Sequence, residues 1–465
     1  MISKRIKILL ALLFLFSVPV TFSQQLLSLE ECRNLAIENN KQLKEATAQE
    51  KVAYYNRKEA FTKYFPELSF SGMYLRNQKN LHLIPSTIQM PEINIPGITF
   101  PIPPGTEIPI PDKIRNIGEI DIKNIWVGGF NLIQPIFMGG KIVAYNDIQK
   151  YAEELAKSQK DTKLTDVIVD VDNAYWQVVS LSGKKKLTDS YVELLHKMER
   201  DIEAMFDEGV VTKADVLSVN VKVNEAEVNQ TKATNGLSLA KMYLCQVCGL
   251  DISEQITLVD EKSDNLNVTE ENVNVLPNIQ EAFANREELK SLDLATKIYK
   301  KQEKIAFSEF LPQVGFTANY LWTNPSSFDG LKTEFGGMWS VGVSVKVPLN
   351  FFSSSAKYNA AKAKTLITQY QFEDAKEKIE LQVNQNAYKV NESSKKLKMT
   401  QKNVEKADEN LRYAQVGFDE GVIPASDVLA AHTAWISAHS EWIDAQIDVK
   451  LSKVYLDQSL GRTIK

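Results

Sequence analysis

The strongest constraint on this chain is what residues 141 to 206 lack. The stretch holds no proline and one glycine, Gly183, and its apolar residues recur at helical spacing. At 1.5 Å per residue such a helix reaches roughly 100 Å, far beyond the usual helix of about 10 to 14 residues. A compact globule cannot hold it, so the chain is predicted to build an extended helical assembly.

The long run ends in a segment that occurs twice. Phe206-Asp-Glu-Gly-Val-Val-Thr-Lys-Ala-Asp-Val-Leu217 returns as Phe418-Asp-Glu-Gly-Val-Ile-Pro-Ala-Ser-Asp-Val-Leu429, with eight of twelve positions kept. Each copy lies between charged, Ala-rich helical stretches, so Gly209 and Gly421 are read as left-handed breaks where one helix closes and the next starts. Thr212 and Asp215 have capping-box spacing, and Pro424, in the place of Thr212, suits a first helical turn. Both segments are therefore predicted to be helical hairpin tips.

The repetition extends beyond the tips. Residues 282 to 320 align without gaps onto 36 to 74 at an offset of 246, and Trp339 and Pro348 match Trp126 and Pro135 at an offset of 213. The chain is read as a duplication: a first repeat over 24–250, a linker over 251–276 expected to be irregular, and a second repeat over 277–465. Each repeat is expected to run helix, strand, loop, strand, long helix, tip, helix. Short helices are expected at Leu29–Asn39, with Ser28 as cap and Glu31 at its third position, and then from Lys41 to Tyr64.

The four strand candidates are 67–75, 126–133, 313–320 and 339–347. Trp339, Val341, Val343, Val345 and Val347 share one face of the last, while Ser340, Gly342, Ser344 and Lys346 share the other. That alternation suits a membrane strand of about 9 to 11 residues, apolar toward lipid and polar toward a lumen; a soluble β-sandwich edge would alternate in the same way. Pro66 and Pro312 lead into strands, and Pro135 and Pro348 are expected to end them. The loop over 80–123 carries eight of the sixteen prolines and is expected to be an extended surface excursion.

The N-terminus has the layout of a cleaved signal peptide over 1–23: basic residues, the apolar run Ile8 to Phe22, then a small-x-small site. Cleavage would remove Lys4, Arg5 and Lys7 and take the formal net charge from −5 to −8, which speaks against nucleic acid as a partner. No cysteine follows at a lipoprotein position, so no lipid anchor is expected. After the signal no apolar run of about 18 residues remains, so any membrane crossing must use strands. Four strands cannot close a barrel, since an open edge cannot face lipid; three copies would supply twelve.

At this point the Leu-x-Leu-Glu-Glu-x-x-x-x-Ala start at Leu27 to Ala36, the Phe-Pro-Glu-Leu-Ser-Phe and Leu-Pro-Gln-Val-Gly-Phe joins, and the repeated tips resemble the outer-membrane efflux protein family, the TolC-like channels. The resemblance implies an α+β membrane protein: a homotrimer whose four strands per chain complete a twelve-strand barrel in outer-membrane lipid, with a long periplasmic α-helical barrel. It also implies an exit duct for an inner-membrane pump joined by a periplasmic adaptor, with no catalysis by the channel. The family's adaptor-contacting tips fall on Gly209, Val210 and Val211 and on Gly421, Val422 and Ile423; the same residues could simply build tight turns. Asp427 matches an acidic ring at the periplasmic aperture, but its companion one turn later is Ala430, a departure that weakens any cation-selective constriction. Asp215 and Asp427 are read either as pore residues or as helix N-terminal caps. Phe418 and Ile423 stand where some members carry polar gate groups, implying a packed gate.

The remaining candidates point to no enzyme. Cys245-x-x-Cys248 lies in a helical pattern rather than at a strand-to-helix turn, so these cysteines and Cys32 are read as small buried hydrophobes. His432 and His439 are seven apart, too far to share a metal without other ligands, and no metal or cofactor is expected. Trp435 and Trp442 are read as packing between helices, and Leu429, Ile436, Ile443, Ile447, Leu451 and Val454 as one apolar stripe. No phosphate loop or hydrolase motif is present. A second function class stays open: a non-transporting periplasmic coiled-coil scaffold or adhesin whose proline-rich loop binds an external partner.

Overall fold

The structure is a computed structural model that describes residues 25–91, 103, 105–262, 266 and 276–462. The expected signal peptide, residues 92–102 and 104 of the proline-rich loop, and residues 263–265 and 267–275 of the linker lie outside the described residues. In chain order the main elements are β1 (Gln25–Leu27), α1 (Leu29–Asn39), α2 (Lys41–Thr62), β2 (Glu67–Arg76), β3 (Asn124–Phe137), α3 (Lys141–Asp207), α4 (Lys213–Cys248), β4 (Ile256–Leu258), α5 (Ile279–Asn285), α6 (Glu287–Ser308), β5 (Gln313–Asn324), β6 (Gly336–Lys346), α7 (Phe351–Asp419) and α8 (Ala425–Ser459). Among the described residues no helix is long and apolar enough to cross a membrane. The chain divides into two compact units.

The first unit comprises residues through Val52, Glu154–Ala295 and Gln369–Lys465. Its first helix starts as the spacing predicts: Ser28 and Glu31 form a capping box, satisfying amides that have no partner within the helix. Part of the linker is regular, against expectation, because β4 pairs in parallel with β1, Leu27 opposite Leu258. That pairing buries both leucines in a core shared with Cys32, Val171, Tyr175, Leu244 and Cys248. A second core gathers Ala282, Leu289, Ile379, Val383, Val390 and Leu456.

Two glycines set how closely the short helices approach the ends of α4 and α8. Gly249 closes α4 with φ of 74°, and a Cβ there would lie 2.6 Å from the Asn39 carbonyl carbon. Gly461 follows α8 with φ of 68°, and its Cβ would lie 2.8 Å from that of Asn285. In both places a left-handed backbone and the lack of a side chain are needed together. Asn40 adds a hydrogen bond from Nδ2 to the Val247 carbonyl at 2.8 Å.

The predicted stripe on α8 is only part of what that helix buries. Leu429 and Ile447 are buried, but so are Ala438, Ala445, Gln446, Ser452 and Ser459. Small residues let neighbouring helices come close, and the buried hydroxyls are satisfied: Ser452 bonds Ser393 at 2.9 Å. The helix is packed on more than one face, which a single apolar stripe does not describe.

The second unit comprises Ala53–Glu153 and Thr296–Thr368. Its centre is an antiparallel sheet in the order β6-β5-β3-β2. Phe70 lies opposite Phe130 across β2 and β3, and Phe130 opposite Tyr320 across β3 and β5. Their rings form a cluster with Trp322, Phe70 to Phe130 at 5.3 Å and Phe70 to Trp322 at 5.8 Å between centroids. Gly129 permits the close approach of β5, since a Cβ there would sit 2.6 Å from the Tyr320 carbonyl oxygen. Helices of this unit are tied by Lys301 to Asp147 at 2.5 Å and Asn146 to the Ala60 carbonyl at 3.0 Å.

Two expectations are corrected here. Pro135 does not stop its strand: β3 continues to Phe137, with an irregular register between Pro135 and Phe137. β2 pairs only as far as Ile133, so beyond that point β3 has one neighbour, and proline is tolerated at such an edge. The proline-rich loop is not simply extended, because Leu81–His82 pairs with Glu119–Ile120 and Thr87–Gln89 with Glu107–Pro109, with a helical turn at Asp112–Arg115.

One buried ion pair in the first unit yields a prediction. Arg33 grips Asp172 with Nε at 2.7 Å and Nη2 at 2.6 Å, and the Asp172 side chain is fully buried. Arg33→Ala strands that carboxylate without its counter-charge, and is expected to cost about 3–5 kcal/mol. The urea midpoint followed by helical circular dichroism should fall accordingly, and a double variant Arg33→Met, Asp172→Leu should recover most of the loss.

Candidate functional site

The two hairpin tips belong to one unit and share one core. Leu195, Met198 and Ile202 of α3, Val216 and Val219 of α4, Ala414 of α7, and Val428 and Leu429 of α8 pack together, with Val211, Phe418 and Ile423 partly buried against them. The sequence treated the tips as two similar turns; the fold brings them side by side.

Within each tip the three candidate residues divide by role. Gly209 and Gly421 have φ of 73° and 72°, and a Cβ on either would meet nothing within 4 Å, so backbone conformation alone demands glycine. Val210 is 68% exposed and Val422 80%, whereas Val211 and Ile423 turn into the shared core. Val210 and Val422 thus present an apolar surface, while Val211 and Ile423 brace it. Gly417, which the sequence reading passed over, completes the second tip: a Cβ there would lie 2.5 Å from Ile423 Cδ1. Its signal was a glycine inside an otherwise helical stretch, which often marks a packing constraint.

The two acidic positions are not equivalent. Asp215 closes a capping box with Thr212, accepting from the Thr212 amide at 2.9 Å and its hydroxyl at 2.7 Å. Those hydrogen bonds from Thr212 hold its carboxyl below the ordinary range. Asp427 has no such partner, because Pro424 lacks both amide hydrogen and hydroxyl, and the helix has no side-chain cap. Among the described residues its carboxylate accepts only a long contact from Ser426 Oγ at 3.4 Å, and Asp427 is exposed. Asp215 is occupied as a cap, and Asp427 projects an anion. Phe206, in the first tip, lies under Lys213, whose Nζ is 5.3 Å from the ring centre.

Further along α8, His432 is buried beside Tyr191, ring centres 5.8 Å apart, and neither ring nitrogen has a hydrogen-bond partner among the described residues. His439 turns elsewhere: its Nε2 lies 2.8 Å from Asp408 Oδ1, which also accepts from the Trp435 indole at 2.6 Å. Trp435 and Trp442 line a groove of about 440 Å³ with Leu187, Ile443 and Glu261. The three cysteines are free and buried. Cys248 Sγ donates to the Cys32 carbonyl at 3.6 Å, and contact with the Cys32 side chain, then burial, raises its pKa. Burial pushes the Cys245 thiol up to about 11, away from a reactive thiolate. Among the described residues no group of three His, Cys, Asp or Glu side chains is placed to hold a metal ion.

Comparison with known proteins places this geometry. A family model described as "Outer membrane efflux protein" matches residues 32–250 and 278–462, and the chain belongs to that family. The fold is that of TolC-like channels. The Campylobacter jejuni CmeC outer membrane channel matches at 15% identity with a TM-score of 0.74, covering 93% of this chain and 85% of that one. The outer membrane protein VceC of Vibrio cholerae matches at 15% identity and a TM-score of 0.70, over 94% of this chain and 97% of that chain. The open state of the Neisseria gonorrhoeae MtrE outer membrane channel matches at 15% identity and 0.69, over 93% and 89%. No curated protein matched the sequence.

The buried histidine gives a pH prediction. Burial lowers the His432 pKa from 6.5 to about 4, so between these values the unfolded chain takes up a proton that the folded chain refuses. Stability is fully present above pH 6.5 and declines as pH falls toward 4, by roughly 3 kcal/mol at most. His432→Leu should flatten the urea midpoint against pH over that window.

Proposed function

We propose that this chain is the outer-membrane exit channel of a tripartite efflux system, a homotrimer that receives substrate from an inner-membrane pump through a periplasmic adaptor. The observation that carries the reading is the four-stranded sheet. Among the described residues its outer strands β2 and β6 each have one unpaired edge, and Leu68, Phe70, Trp339, Val341, Val343 and Val345 are exposed. In water such a surface invites aggregation; in lipid the apolar side chains are at home but the open edges are not. Three copies joined edge to edge remove both problems, giving twelve strands and a barrel wide enough for a channel.

The repeated order of elements, and the family match over two stretches, support an internal duplication in which each repeat supplies two strands and one helical hairpin. On this reading α3, α4, α7 and α8 form the periplasmic α-helical barrel. Val210 and Val422 are the adaptor contacts, held by Gly209 and Gly421 and backed by Val211 and Ile423. Asp427 lines the periplasmic aperture, with Asp215 serving as a cap. The channel performs no catalysis, and the identity of the cargo rests with the pump.

Purified protein in a planar lipid bilayer should give discrete conductance steps; silence from intact trimers would favour the scaffold reading instead. Val210→Asp and Val422→Asp are each expected to weaken adaptor binding by about 2 kcal/mol and to abolish efflux in cells, with conductance and trimer yield unchanged.

A further inference from the structure

The two repeats meet within one chain where β3 pairs with β5, and that junction serves as a template for the one the chain cannot make alone. In it Phe130 lies opposite Tyr320 and Leu132 opposite Ala318. The offsets of 213 for the strand before the long helix and 246 for the strand after the short one convert each residue to its counterpart in the other repeat. Phe130 becomes Val343 and Leu132 becomes Val345, both on β6; Tyr320 becomes Tyr74 and Ala318 becomes Gly72, both on β2. These counterparts lie on the two unpaired edges.

The same mapping exposes a difference between the two junctions. Within the chain, Gly139 seats against the second repeat so tightly that a Cβ would lie 3.0 Å from Leu311 Cβ and 3.0 Å from the Ser308 carbonyl oxygen. The counterpart of Gly139 is Phe352, whose side chain is 95% exposed. A phenylalanine could not occupy the space that Gly139 has. The counterparts of Ser308 and Leu311 are Thr62 and Phe65, and these line a cavity of about 630 Å³ with Ile133, Pro135, Met138 and Tyr145. One repeat closes its junction with a glycine, while the other leaves a cavity where its partner carries an aromatic ring.

We propose that Phe352 of one copy fills the Thr62–Phe65 cavity of the next, and that β6 of that first copy pairs antiparallel with β2 in the register that sets Val343 opposite Tyr74. This rests on the three-copy reading above and specifies its seam. An exposed aromatic ring and a mostly apolar cavity, lined also by Lys63, Glu67 and Lys141, account for each other, and burying the ring removes from water the most exposed large apolar side chain described in the chain.

The test is disulfide trapping between copies of the full-length protein in membranes, with diamide as oxidant. Directly opposed residues in an antiparallel pair have Cβ atoms about 4.5–5.5 Å apart, near the reach of a disulfide, whereas residues four positions out of register are roughly 13 Å further along. The double variant Val343→Cys, Tyr74→Cys should give covalent dimers and trimers on a reducing-agent-sensitive ladder, and Phe352→Cys, Phe65→Cys should do the same. Val347→Cys, Tyr74→Cys should not. Phe352→Ala should still assemble but dissociate from detergent-solubilised trimer about tenfold faster or more. A trimer by light scattering in which the out-of-register pair cross-links and the predicted pairs do not would overturn the seam while leaving the channel reading intact. A wild-type protein that is monomeric in membranes and detergent would overturn both.

Discussion

An unpaired strand edge carries a row of amide and carbonyl groups that must find partners. In β2 and β6 those rows run for 10 and 11 residues, and the side chains beside them are among the most exposed apolar groups in the chain. Polar edge and apolar face make opposite demands on the surroundings, since the face favours lipid and the edge forbids it. On the proposed reading, strands of neighbouring copies satisfy both. Inside the sheet, Phe70, Phe130 and Trp322 cluster across the paired strands, and Gly129 lets β5 come close to β3.

The helical unit meets a different constraint. Helices as long as α3 and α7, at 67 and 69 residues, are held by packing along their length rather than by helix propensity. That packing relies on small and polar side chains as much as on large apolar ones. Ala445 and Ser452 are buried on α8, and Gly249 and Gly461 admit the turns after α1 and α5 to van der Waals distance. Buried polar groups in this unit are mostly paired, as Arg33 with Asp172 and Ser393 with Ser452. His432 is an exception, with two bare ring nitrogens. It lies close in sequence to Val428 and Leu429, which belong to the core beneath the tips.

The tips show how a repeated sequence comes to serve unequal roles. The same Phe-x-x-Gly-Val pattern yields two left-handed turns, each with one valine exposed, yet Thr212 locks Asp215 into a cap while Pro424 leaves Asp427 uncapped. A single exchange of a hydroxyl for a pyrrolidine ring separates a structural carboxylate from one that can project its charge.

Much of this was legible in the residues, because the signals are local. Helical spacing without proline marks α3, a left-handed glycine between helical stretches marks each tip, Ser28 with Glu31 and Thr212 with Asp215 mark caps, and two-residue alternation marks β6. Each depends on a few neighbouring side chains acting on their own backbone. What the sequence alone could not decide is where non-local partners supply the missing energy. Pro135 continues a strand because β2 has already ended; Leu27 and Leu258 pair across more than two hundred residues; Val211 and Ile423 turn inward while Val210 and Val422 turn outward because the tips share a core. Local stereochemistry is written in the order of residues, whereas burial is a property of the surfaces that the folded chain brings together.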